Sequence, residues 1–220
     1  MNLQKMFEMQ KVLDDRIIKE KGLEGQDLLP NLILALQVEL AECANEWRGF
    51  KHWSNDRKPR TKIEHFCPTC DGTGDENHDI NLQYLEEGHA IEPYSECQDC
   101  NGSGKLGETN PLLEEYVDCL HFILSIGNRI GFNNDATIQQ IMRRAEEREL
   151  ETNIVIVKAF SRLMSLVFGF YFWIENAGTY VRFFERFLNL GEMLGFTPEQ
   201  IEAAYMDKNA VNHQRQQEGY

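Results

Sequence analysis

Residues 36–43 read LQVELAEC and residues 112–120 read LLEEYVDCL. In the first stretch Leu36, Leu40 and Cys43 recur at helical spacing, with Leu32 one turn earlier, and Glu39 and Glu42 stand three apart between them. In the second, Val117 and Leu120 are the apolar positions, and Glu115 and Asp118 form the acidic pair. Side chains at i and i+3 share a helix face, so each stretch predicts a helix with a core stripe and an acidic pair beside it. If the two helices pack side by side, four carboxylates converge on one pocket. That much like charge cannot stay unpaired in a partly buried place, so a metal ion is the simplest resolution. Oxygen-only ligands favour magnesium or manganese over zinc. A single pair of this kind is ordinarily a solvated helix face; two pairs, each interleaved with core residues, are rarer, and on the residues alone a metal site and a solvated acidic face both stand. Glu46 and Glu114 extend the acidic faces, and His121 follows Asp118 by three.

Helical period runs through most of the remaining chain. Leu3 to Glu20 sets Met6, Met9, Leu13, Ile17 and Ile18 near one stripe. Asp27 is read as the cap of the second helix, with Pro30 in its first turn and an end near Arg48-Gly49. Asn110-Pro111 opens the helix that carries Glu115 and runs through Ile130, with Gly131 as its stop. Further helices are expected over Asp135 to Leu150, Asn153 to Ile174, Thr179 to Leu194 and Pro198 to Asn209. The polar end, Lys208 to Tyr220, reads by composition as a solvated tail. No strand-period segment exceeds a few residues. The expected fold class is all-α, a helical bundle with a small insert.

The insert announces itself by composition. From about Asn55 to Glu108 apolar periodicity fades and two copies of Cys-x-x-Cys-x-Gly-x-Gly appear, CPTCDGTG at 67–74 and CQDCNGSG at 97–104. Two such pairs can wrap one tetrahedral zinc, with glycine letting the backbone turn tightly around the thiolates. Cys67, Cys70, Cys97 and Cys100 are therefore expected to hold a structural zinc ion, and the spacing argues for metal rather than disulfides. The repeat resembles half of the cysteine-rich region of DnaJ-type cochaperones. Cys43 and Cys119 stand alone in helical patterns and read as small core residues. The chain is thus divided into a helical part, 1–56 and 108–220, and an insertion, 57–107.

Composition bounds the function. A formal net charge of -14 argues against coating nucleic acid, which needs a basic surface, and the acidic Glu86, Glu87 and Glu92 give the insert no such role either. A nucleotide substrate is not excluded, because divalent metals on carboxylates can hold a triphosphate. The apolar run Leu163 to Ile174 is too short to span a bilayer and follows Lys158 and Arg162. The opening MNLQKMFEMQKVLDDR lacks the layout of a secretory signal, so a cytoplasmic protein without membrane contact is expected.

Three segments together, LQVELAECANEWRGFKHWS (36–54), LLEEYVDCLHFILSIG (112–127) and KNAVNHQRQQEGY (208–220), resemble the dimeric dUTPases of bacteria and their phages. These are relatives of the wider all-α pyrophosphohydrolases that include MazG, and the likeness covers roughly 3–55 and 108–220. The resemblance implies hydrolysis of dUTP to dUMP and pyrophosphate by a homodimer. It implies that Glu39, Glu42, Glu115 and Asp118 bind magnesium along the triphosphate, with Glu39 or Glu42 as general base toward water. It places Gln10 near the uracil edge, where an amide offers a donor and an acceptor. Asp14 sits where relatives often have Asn. Trp47, Lys51 and Trp53 are implied to form a lip over the nucleotide, with Lys51 near phosphate. Lys208, Asn209, Asn212, Arg215 and Gln216 are implied to form a mobile phosphate clamp. The insert departs from the plain pattern; a structural part, a protein partner and a gate near Trp53 are its three readings. The rival functions are a relative acting on dCTP or several nucleotides, and an interaction protein working through the zinc insert.

Overall fold

A computed structural model describes residues 1–146, 155–174 and 176–219. The elements run α1 (Leu3–Glu20), α2 (Leu29–Trp47), β1 (Ile63–Phe66), α3 (His78–Glu87), β2 (Lys105–Thr109), α4 (Pro111–Ile130), α5 (Asp135–Glu146), α6 (Ile156–Trp173), α7 (Ala177–Met193) and α8 (Pro198–Gln217). They form two units, one of Met1–Pro59 with Leu112–Tyr220 and one of Arg60–Pro111.

The first unit is helical. Within it α6 packs on α2 and α7, α5 on α7, and α1 on α8. Helix α4 is the most deeply set: Leu112, Val117, Leu120, Ile123, Leu124 and Ile126 are buried in the common core with Leu36 and Leu40 of α2 and the aromatic run of α7. Two tyrosines are buried there with their hydroxyls satisfied. Tyr116 donates to the Phe187 carbonyl at 3.1 Å and stacks on that ring at 4.3 Å, and Tyr180 donates to the Ile123 carbonyl at 2.8 Å. A buried hydroxyl without such a partner would cost free energy, so these bonds fix the register of α7 against α4. Cys43 and Cys119 are both fully buried beside each other, and burial pushes the Cys119 thiol up.

The helix ends follow local chemistry. Asn2 caps α1 by accepting from the Lys5 amide at 3.0 Å. Asp27 accepts from the Leu29 amide at 3.1 Å, but the capping position itself is Leu28, one residue later than the sequence suggests. Arg48 closes α2 in the left-handed conformation at φ 61°, and Gly131 follows α4 at φ 76°. Asn176 caps α7, which opens two residues before the expected Thr179. Thr197 and Gln200 form a reciprocal capping box on α8. The expected helices over Asp135 to Leu150 and Asn153 to Ile174 are present in their described parts; residues 147–150 and 153–154 lie outside the described residues.

One expectation is corrected. The segment after Asn209 is not a solvated tail as far as Gln217, because α8 continues unbroken from Pro198 to Gln217. Ile201, Tyr205 and Asn209 are buried, Tyr205 donates to the Met6 carbonyl at 3.0 Å, and Arg16 of α1 donates to the His213 carbonyl at 3.1 Å. The inner face of the last turns carries polar residues, which erases the apolar period that a sequence reading relies on. Among the described residues α6 is long and apolar enough, by length and composition alone, to cross a membrane. Here it buries Phe160, Leu163, Val167 and Phe170 in the helical core.

The second unit is held by two matching knuckles. Gly74 N–H reaches Cys70 Sγ and Gly104 N–H reaches Cys100 Sγ, both at 3.2 Å, while Cys97 N–H donates to Gly74 O and Cys67 N–H to Gly104 O, both at 2.9 Å. A Cβ at Gly74 would collide with the Gly102 carbonyl, and one at Gly104 with the Gly72 carbonyl, so only glycine fits either place. Two short strands, β1 and β2, pair antiparallel, with Ile63 opposite Thr109 and Glu64 opposite Glu108, and a bulge between His65 and Phe66. The strands are mostly exposed, so they carry no buried alternation that would mark them in sequence.

Gly127 tests the packing around α4. Alanine is the better helix former, but a Cβ there would run into the Tyr180 hydroxyl and lie 2.8 Å from Phe7 Cε1, both on fully buried rings. Overpacking therefore wins over propensity. Gly127→Ala is expected to destabilise the protein by about 1–3 kcal/mol, where an unconstrained helix site would gain stability, as read by denaturant unfolding.

Candidate active site

The acidic pairs of α2 and α4 meet. Carboxylate oxygens of Glu39, Glu42 and Glu115 lie within 4.8 Å of one another. Asp118 is close enough to repel both Glu39 and Glu115, and its Oδ2 accepts from Lys208 Nζ of α8 at 2.5 Å. Burial, and then the charges of Asp118, Glu42 and Glu115, lift the Glu39 carboxyl to about 7. Glu115 is likewise lifted to about 7 by burial, Asp118 and Glu42, with Glu46 adding a smaller push. Lys208 opposes both shifts without cancelling them. A cluster of hard oxygens that resists ionising in half-buried surroundings fits a divalent cation of the magnesium or manganese kind.

From these carboxylates a cavity of about 640 Å³ extends between α1, α2, α4 and α8, all within the first unit. Glu39, Asp118 and Lys208 stand in its wall with Arg215, Asn212 and Gln216 of α8. Leu13, Ile17 and Ile18 of α1, Leu32 of α2 and Phe122 of α4 supply an apolar lining. Gln10, Asp14, His121, Ser125 and Asn128 add a polar section. Gln10 Nε2 donates to Asp14 Oδ1 at 2.9 Å and Ser125 Oγ at 3.0 Å, and its Oε1 lies 2.6 Å from His121 Nδ1 and accepts from Tyr205 at 3.1 Å. The His121 ring stacks on Tyr205 at 4.4 Å, and burial, with Lys208 behind it, holds the imidazole down at about 3, hence neutral. Burial is also the main cause that pushes Asp14 up to about 6, against the hydrogen bonds from Gln10 and Ser125.

The residues singled out from sequence fall into two groups. Glu39, Asp118, Gln10, Asp14, Lys208, Asn212, Arg215 and Gln216 line this one cavity, and Glu42 and Glu115 complete the carboxylate cluster at its edge. Trp47, Lys51, Trp53 and Asn209 do not line it. Trp47 packs on Phe160 at 5.8 Å, Lys51 lies over the Phe50 ring, and Trp53 is 68% exposed against Phe50 and His52. Asn209 is buried one turn past Tyr205. Gln10 departs from its expected task in another way: both amide hydrogens and its oxygen are taken up by protein groups. Sequence reasoning did not single out Phe122, Ser125, Asn128 and Arg129. Their signal was available, since Phe122, Ser125 and Arg129 follow Glu115 at i+7, i+10 and i+14 on the face that carries Asp118 at i+3.

A family model described as dUTPase matches residues 2–66 and 103–220 of this chain. The chain belongs to the dUTPase family. A comparison with curated proteins finds no match. The protein is accordingly an enzyme of nucleotide metabolism, a hydrolase that converts dUTP to dUMP and pyrophosphate. The stretch between the matched segments of this dUTPase, 67–102, holds Cys67, Cys70, Cys97, Cys100 and α3.

In the second unit the sulfurs of Cys67, Cys70, Cys97 and Cys100 all lie within 4.8 Å of one another and are buried. The Cys67–Cys97 and Cys70–Cys100 separations are 3.8 Å and 3.7 Å. Four thiolates about 2.3 Å from a tetrahedral zinc would stand about 3.8 Å apart, so the cluster is compatible with one zinc ion.

Two outcomes follow. Because Glu39 and Glu115 hold protons that an unfolded chain would release, the enzyme without a divalent cation on these carboxylates should lose stability as pH rises from about 5 to 8, and a divalent cation should restore most of that loss at the upper end. Thermal unfolding of purified protein across that range, with and without added divalent cation, measures it; a midpoint that climbs with pH in its absence contradicts the reading. Elemental analysis of the purified enzyme should give about one zinc per chain, and its removal should expose the four thiols to a thiol reagent while helical circular dichroism is largely kept.

Proposed function

We propose that dUTP is hydrolysed in the cavity between α1, α2, α4 and α8 with magnesium, or manganese, held by Glu39, Glu42, Glu115 and Asp118. The observation that supports this most is the convergence of the α2 and α4 carboxylates at the cavity wall, next to a lysine already seated on Asp118. A divalent cation bound there supplies Lewis acidity toward the triphosphate oxygens. The chain's own residues do the rest. Lys208, seated on Asp118 at 2.5 Å, would turn to a phosphate oxygen once that carboxylate served as a metal ligand, with Arg215, Asn212 and Gln216 along the same face of α8. Leu13, Ile17, Leu32 and Phe122 enclose the apolar faces of sugar and base, and the polar section around Asp14 and Ser125 meets the base edge. In this reading the clamp is a helix, and Lys208 moves by side-chain rotation.

We further propose that residues 1–56 and 108–220 form the catalytic domain, that 57–107 is an accessory zinc-binding insertion, and that the enzyme works in the cytoplasm as a homodimer. Exposed Leu34 and Val38 on α2, and Phe168, Phe172 and Trp173 on the neighbouring α6, support a second copy covering these helices. The exposed Leu82, Leu85 and Ile91 of the insertion support a protein partner there.

Glu39→Gln, Glu42→Gln, Glu115→Gln and Asp118→Asn keep shape and remove ligand charge. Each should lower kcat/KM for dUTP by roughly 100-fold or more with the helical spectrum unchanged, since electrostatic groups aimed at a reacting centre are typically worth that much. Steady-state hydrolysis at saturating magnesium is the measurement, and near-wild-type turnover in two of the four would sink the shared site.

A further inference from the structure

Helix α3 of the insertion is turned inside out. Its inner side is polar. Asn77, the residue before it, donates to the Pro93 carbonyl at 2.8 Å, and Asn81, one turn on, donates to the Glu92 carbonyl at 3.1 Å and accepts from the Glu92 amide at 2.7 Å. Those bonds strap the segment around Glu92 and Pro93 along the helix and leave the leucines on the outside. Leu82 is 50% exposed and Leu85 64%, and Ile80 and the strapped Ile91 are open to water as well. One exposed leucine is ordinary. A helix that turns its asparagines inward and its leucines outward, with no residue buried, does not use those leucines for its own folding.

The helix is also held at its base. Asp75 and Glu96 form a β-bridge, the Glu76 amide donates to the Ser95 carbonyl at 2.8 Å, and the Cys97 amide donates to the Gly74 carbonyl at 2.9 Å. The Asp75 carboxylate gathers the Asn77 and Ser95 amides, both at 3.0 Å. Both ends of the stretch that carries α3 therefore leave directly from the two cysteine knuckles. A face presented in this fixed way loses little freedom when something covers it.

Charge decides what the cover is. From Cys67 to Gly104 the chain carries nine carboxylates and no lysine or arginine. Asp79, Leu82 and Glu86 follow one another at i, i+3 and i+7, and Leu85 adjoins Glu86, so carboxylates and leucines share the outward face. A second copy of the same face would set carboxylate against carboxylate, and nucleic acid or an anionic lipid surface would be repelled. We propose that the outer face of α3 docks a basic amphipathic helix of a partner protein. Its apolar side chains cover Leu82 and Leu85, and its lysines or arginines pair with Asp79, Glu86 and Glu87. The proposal rests on, and deepens, the reading that the insertion meets a protein partner.

The test titrates the full-length enzyme, as purified, into a fluorescent amphipathic peptide of leucine and lysine, about 18 residues long so that it is helical. A leucine–glutamate peptide of the same pattern and a scrambled leucine–lysine peptide are the controls, and anisotropy is the readout. The leucine–lysine peptide should bind. Its affinity should fall roughly 10-fold or more in the double variant Leu82→Gln with Leu85→Gln, and roughly 10-fold in Glu86→Gln with Glu87→Gln. In wild type it should also weaken as salt rises from about 0.05 to 0.5 M. All four side chains are exposed, so both variants should fold and hydrolyse dUTP as wild type does, which is measured on the same preparations. Preference for the leucine–glutamate peptide, lost in the leucine variant, would keep a protein partner at this face and overturn its basic character. Equal binding of the scrambled peptide, or binding that neither double variant weakens, would be attraction to the acidic chain as a whole and would overturn the docking face. Binding of neither amphipathic peptide would overturn the docking face and the protein partner together.

Discussion

Packing of α2 against α4 presses Glu39, Glu42, Glu115 and Asp118 into a space where their charges repel and water is partly excluded, and the surrounding structure answers that constraint. The core on the other side of both helices holds them in place: Leu36, Leu40 and Cys43 of α2 and Val117, Cys119 and Leu120 of α4 are all buried. Apolar burial of this extent outweighs the repulsion, which is how a folded chain can keep a destabilised cluster ready for a cation. Lys208 is the protein's own partial counterion, and it arrives from the far end of the chain.

Helix α4 serves both sides of this balance. Its apolar face anchors the bundle through Tyr116, Ile123 and Leu124, and its opposite face runs Asp118, Phe122, Ser125 and Arg129 along one cavity, with Glu115 at the edge. Charge at one section and neutral hydrogen bonding at another are thus set by position on a single rigid helix. The buried ring of bonds among Gln10, His121, Tyr205, Ser125 and Asp14 stiffens the neutral section. A network so fully connected is costly to break, and it determines which atoms are left to meet a ligand.

The cysteine unit is built on different physics. It buries almost nothing besides its four thiols, and α3 has no buried residue, so backbone-to-sulfur bonds and the sulfur cluster replace a hydrophobic core. Four buried sulfurs compatible with one zinc ion stand where a larger module would place apolar side chains. Its two knuckles relate to each other as a repeat in space as they do in sequence.

What the residues alone determined was local. Helical period placed α1, α2, α4 and α7 within a few residues of their ends, because each buries one regular stripe, and the i, i+3 spacing put the acidic pairs on helix faces. The cysteine repeat likewise announced its cluster, since ligand spacing survives without tertiary context. Three things needed the folded chain. The last turns of α8 look solvated in sequence because their inner face is polar, and only contact with α1 and the carboxylates makes that face an interior. The resemblance implies a binding lip at Trp47 and Trp53, whereas Trp47 packs on Phe160, on a helix more than a hundred residues away. Gln10 offers an amide suited to a base, but three hydrogen bonds to groups distant in sequence and a fourth to Asp14 spend it, and the burial that accompanies them lifts Asp14. A spacing rule fixes which side chains share a face; which of their atoms remain unpaired is decided only when the other helices arrive.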